Sequence, residues 1–170
     1  MLTQIKLLAR MGPVLVALLF VGGPARAAQV EIEAVLATKE QIRLKFEEDS
    51  GHFLLLVLRK GNARGSAPFH GATVSEYGVH DVVPGEAGKA HGYLEFTTPN
   101  GDKAYIAWRA DVVFMPRPDG KTALTVFGSW KLTAGTGTFA GMKGVGSLRI
   151  EPADRHKRRF ILSGTVTNDS

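Results

Sequence analysis

Short runs of alternating polarity, cut by glycine or proline about every ten residues, fill the chain from residue 30 onward. Alternation with period two marks half-buried strands, because successive side chains leave a pleated ribbon on opposite faces. In QIRLKFEE, Ile42, Leu44 and Phe46 share one face, and Gln41, Arg43, Lys45 and Glu47 share the other. AYIAWRADVVF sets Ile106, Trp108, Val112 and Phe114 against Tyr105, Arg109 and Asp111. KTALTVFGSWKL aligns Leu124, Val126, Trp130 and Leu132; Met142, Leu148 and Ile150 line up later, as do Phe160, Leu162 and Val166. Asp49-Ser50-Gly51, Asn100-Gly101-Asp102 and Asp119-Gly120 are turn signals, since these residues accept positive φ cheaply. The pattern predicts eight or nine strands, near 30–36, 41–48, 52–60, 72–82, 89–98, 103–115, 121–132, 143–151 and 159–167. Past the first 27 residues no segment sustains a 3.6-residue period. The expected fold is all-β: one antiparallel eight-stranded closed barrel, because closure removes exposed strand edges.

The N-terminus reads differently. Lys6 and Arg10 precede the apolar run Val14 to Val21, and Ala25-Arg26-Ala27 gives a small-x-small cleavage pattern. The run is about half the ~20 residues needed to cross a bilayer. Residues 1–27 therefore read as a signal peptide cleaved near Ala27-Ala28, leaving 28–170 as the barrel domain, periplasmic or secreted and without a stable membrane anchor. Removing this leader lowers the net charge from +5 to +2, so the basic balance lies partly in the leader and a nucleic-acid partner is not expected. The chain has no cysteine, which excludes thiol catalysis, thiolate metal sites and iron–sulfur clusters.

Residues 135–146, GTGTFAGMKGVG, hold five glycines in twelve positions. Gly135, Gly137 and Ala140 satisfy G-x-G-x-x-A, with Asp154 downstream, yet that fingerprint needs a helix opening at the loop. A strand pattern follows instead. The glycines fit a barrel corner better: Gly135 and Gly137 permit a sharp turn, Phe139 folds back as an apolar plug, and Gly144 and Gly146 let the next strand coil. Gly135-Thr136-Gly137-Thr138-Phe139 followed by Gly144 resembles the GGTG-x-F corner of plant dirigent proteins, and allene oxide cyclases carry a similar one. Ala134 stands where that motif begins with glycine, while Gly92-Tyr93 and Gly128-x-Trp130 are compatible with the same barrel. The resemblance implies an eight-stranded antiparallel barrel with an apolar cavity, often in a trimer, and transfers no catalytic residue.

The inward faces set the candidate chemistry. Ile42, Leu44, Phe46, Leu94, Phe96, Ile106, Trp108, Val112, Phe114, Leu124, Val126, Trp130, Leu148 and Leu162 are expected to line a dry interior, where an unpaired ion would cost several kcal/mol. Such an interior suits a small hydrophobic ligand, held by Trp108, Trp130, Phe96, Phe114 and Leu124, with no cofactor and no covalent chemistry. A filled structural barrel is an alternative; so is an isomerase or cyclase guiding a reactive lipid or phenolic intermediate. For the last, Glu76 and His80 are the only acid–base candidates. Four strand residues separate them by about 13 Å, too far to share a proton; the plainer reading is a partly exposed polar face at an edge. His70, His80 and His91 lack the H-x-H spacing of strand-borne metal ligands, so no metal is assigned. Asp111 reads as an outer-face partner of Arg109. The basic run Arg155 to Arg159 reads as a solvated loop that keeps a neighbouring edge from pairing. HFLLLVLRK is apolar on both faces, so Leu54, Leu56 and Leu58 need outside cover, from the chain itself or from a dimer or trimer partner.

Overall fold

The computed structural model describes residues 27–116, 118, 120 and 122–168. Apart from Ala27, the expected leader lies outside these residues. Eight antiparallel strands form a barrel in sequence order: β1 (Ala28–Lys45), β2 (Phe53–Gly65), β3 (Thr73–Val83), β4 (Ala87–Thr97), β5 (Lys103–Pro116), β6 (Thr122–Gly135), β7 (Met142–Pro152) and β8 (Lys157–Asn168). Pairing of β1 with β8, from Ala28↔Val166 to Ala37↔Lys157, closes the ring. Closure is the expected solution to the edge problem, and it gives the eight-stranded barrel the resemblance implied.

The two strands expected at 30–36 and 41–48 are one. Thr38-Lys39-Glu40 interrupts the hydrophobic alternation but not the ribbon: the register with β2 shifts there, a bulge that bends the strand without ending it. Beyond Ala37 the strand has β2 on one side and no β8 partner on the other, so it projects from the barrel. This overturns the inward assignment of Ile42, Leu44 and Phe46, which are 71%, 54% and 42% exposed. The β1 core face is instead Val30, Ile32, Ala34 and Leu36.

The barrel has two unlike ends. The β2–β3, β4–β5 and β6–β7 connections lie at one end, where Phe69, Phe96 and Phe139 are fully buried. Phe139 sits on a single 3₁₀ turn, Gly137–Phe139, its ring 5.1 Å from Phe69, which is 5.3 Å from Phe96. The expected plug is thus in place. Gly137 is required twice over: its φ is +53°, and a Cβ there would collide with the Asp102 carboxylate. That carboxylate accepts hydrogen bonds from the Thr138 hydroxyl, at 2.6 Å, and backbone N–H, at 3.0 Å, tying the β4–β5 turn to the corner. Farther along, Gly146 and Gly164 lie flat beneath the Trp130 ring, which donates from Nε1 to the Ser163 carbonyl at 3.3 Å. No helix follows the glycine loop; β7 does.

The Thr138 bonds hold the Asp102 carboxyl below its ordinary value of 3.8. A carboxyl with a depressed folded-state pKa contributes stability above its unfolded value, and that contribution fades as pH falls through the folded value. Asp102→Asn should therefore lower urea stability at neutral pH and leave a smaller difference from the parent in acid. Parallel denaturation curves at the two pH values check this.

Candidate functional site

The other end of the barrel, formed by the β1–β2, β3–β4, β5–β6 and β7–β8 hairpins, opens into a cavity of about 280 Å³. Its walls are mainly apolar: Phe53, Leu55, Val82, Val112, Phe114 and Val126 come from the inward rows of β2, β3, β5 and β6. Pro84, Leu124 and Pro152, exposed at the hairpin tips, form the mouth. Parity explains the apolar walls, since alternate residues of a closed sheet must point inward. The polar contribution comes from Arg59, His80, Glu151 and Arg158.

Arg59 and Glu76 overturn the expectation of an interior without charge. They stand directly opposite one another on β2 and β3, and one guanidinium nitrogen, Nη1, donates to both carboxylate oxygens, at 2.9 and 2.7 Å. Glu76 is wholly buried and the Arg59 side chain 8% exposed. Pairing is what makes the burial tolerable, because either ion alone would carry a desolvation cost of several kcal/mol. Arg59 Nε has no hydrogen-bond partner.

Glu76 and His80 both face inward, not on a partly exposed edge, and they are not 13 Å apart. His80 Nε2 lies 3.5 Å from Glu76 Oε1 and equally 3.5 Å from Arg59 Nη1. The residue between them on that face is Gly78, and the two side chains lean across the space a side chain there would fill. A Cβ on Gly78 would come within 2.6 Å of Glu76 Oε1 and 3.2 Å of His80 Nε2. A neutral imidazole nitrogen can accept from Arg59 or donate to Glu76, not both at once. The arrangement can thus hold or pass one proton, with His80 and Arg59 the members that reach the cavity.

Of the expected ligand residues, the structure brings Phe114 and Leu124 to the cavity and not the others. Trp108 is a core wall, packed against Phe160 and His80 with ring centroids 5.9 Å away in each case. Phe96 belongs to the plugged end, and Trp130 is buried on its glycine bed. His70 and His91 are exposed, His91 on the outer face of β4, so neither approaches His80. Asp111 pairs across strands with Lys89, while Arg109 turns to Ser129 Oγ at 3.3 Å. Leu54, Leu56 and Leu58 lie on the outer face, and Leu56 is 43% exposed.

The basic run also departs from expectation. Lys157, Arg158 and Arg159 are not loop residues beside an edge but the start of β8, paired with β1 and β7 together. Arg158 shares the inward parity of Phe160 and Leu162 and reaches the cavity.

No protein-family model matches the chain, and no curated protein matches it in sequence. Among solved structures, a protein of unknown function from Clostridium acetobutylicum ATCC 824 is similar at a TM-score of 0.53 and 8% identity, over 84% of this chain and 98% of that one. That likeness is one of fold. A conserved protein of unknown function from Rhodopseudomonas palustris aligns at a TM-score of 0.49 with 13% identity, over 85% and 98% of the two chains. A pterocarpan synthase dirigent protein aligns at 0.46 with 12% identity, over 95% and 98%.

Proposed function

We propose that this protein is an exported barrel that binds a small, largely apolar molecule in its open end, without covalent chemistry. One observation carries the reading: the inward rows of six strands leave a cavity at the unplugged end, while the opposite end is packed solid with phenylalanine. A barrel serving only as a structural block has no need of this asymmetry. At about 280 Å³ the space falls near the lower end of small-molecule sites, which run from roughly 300 Å³ upward. Its occupant is correspondingly small. The leader pattern in residues 1–27 supports export.

A second reading, an isomerase acting on a lipid or phenolic intermediate, is favoured by His80, which touches the cavity and the Arg59–Glu76 pair together. A group so placed is positioned for proton transfer to a bound molecule. Native mass spectrometry of protein purified from cells should show a retained small molecule, and Val126→Trp, which fills the cavity, should lose it. His80→Ala separates the readings, since it removes the candidate base without stranding Arg59. Conversion of the retained molecule by the parent but not by His80→Ala would replace the binding reading with the enzymatic one. Release of the molecule unchanged from both supports binding alone.

A further inference from the structure

We infer that the molecule in this cavity is an organic anion, an apolar body ending in a carboxylate, and that Arg158 is the residue that reads its charge. The inference rests on the binding reading above and adds the chemical class of the ligand. Four ionisable residues line the cavity, Glu151 from the outward row of β7, and three are already engaged. Arg59 Nη1 is held by Glu76, His80 leans on the same pair, and the Glu151 carboxylate is paired with Arg149 at 3.1 Å. Arg158 is different. Its Nη1 meets only backbone carbonyls, those of Lys157 at 3.1 Å and Asp154 at 3.5 Å, and no carboxylate among the described residues lies within ion-pair distance of it.

A half-buried guanidinium without a counter-ion is costly to leave so, because burial removes water from a group that stays charged. Burial and then the positive charge of Arg59 act against the charged form of Arg158 and outweigh the attraction of the Glu76 and Asp154 carboxylates, lowering its pKa from the ordinary value. An anion in the cavity would offset both effects. The second, independent sign is Arg59 Nε, a buried donor on the same cavity with no partner of its own. Two guanidinium groups thus line one apolar chamber, one with an unpartnered buried donor and the other without a carboxylate partner. The remaining walls, Leu55, Val112, Phe114 and Val126, suit a hydrocarbon body and not a sugar or nucleotide.

Octanoate and 1-octanol test this, being alike in chain length and different in charge. Calorimetric titration of the mature barrel near neutral pH should show octanoate binding about 10- to 100-fold more tightly than octanol, the range for a charge-assisted hydrogen bond. Arg158→Gln should abolish that preference, and Arg158→Lys should retain part of it. Circular dichroism confirms that each variant is folded. Equal affinity for the two probes, or a preference that survives Arg158→Gln, overturns the inference and leaves the apolar cavity reading standing. Binding of neither probe by the parent overturns both.

Discussion

Glu76→Leu alone should destabilise the barrel by about 3–5 kcal/mol, and Arg59→Met alone by a similar amount, because each leaves the other ion buried without its partner. Glu76 has no exposed surface and Arg59 almost none, so water cannot substitute for the lost group. The double variant Arg59→Met with Glu76→Leu should recover most of the loss and fall within about 1–2 kcal/mol of the parent, since it removes both desolvation costs along with the attraction. Urea denaturation of the four proteins gives the coupling directly. Two small, additive effects would show that the pair does not act as a coupled buried ion pair. The same logic bears on any catalytic test: loss of activity in a Glu76 variant would report unfolding as readily as chemistry, whereas His80 can be removed without exposing a bare charge.

Why the pair escaped a reading of the sequence is instructive. Leu54 to Leu58 are apolar on both faces, so the run gives no contrast from which to read parity. The inward row Phe53, Leu55, Val57 in fact continues to Arg59, and alternation extended by two residues would have found it. Its register against Glu76 was not legible, being set by the closure of the whole barrel. The separation of Glu76 and His80 failed for a related reason: backbone rise measures Cα atoms, whereas the intervening Gly78 lets long side chains converge. Charge misled at Arg158, where a basic cluster looked like a solvated loop although its strand parity pointed one arginine inward. The elements themselves were readable wherever alternation was uninterrupted. The one fused strand arose where Thr38-Lys39-Glu40 imitates a turn and makes a bulge.

Phe139→Ala should cost about 3–5 kcal/mol, as for other fully buried phenylalanines, and should leave ligand affinity at the opposite end unchanged wherever the protein is still folded. The ring is completely buried against Phe69, and Gly135 exists to admit it: a Cβ at Gly135 would collide with the Phe139 backbone and Cβ. Truncation leaves a void that the closed strands around it cannot collapse to fill, since each is hydrogen-bonded on both sides. The prediction discriminates between two roles for the glycine-rich stretch. Were it a loop for cradling a ligand, Phe139→Ala would impair binding and spare stability. As a corner that seals one end of the barrel, it should do the reverse, with the urea midpoint falling while probe binding at the open end holds. Stability lost together with affinity would mean that the two ends are coupled, and the division into a sealed base and a receptive mouth would then fail.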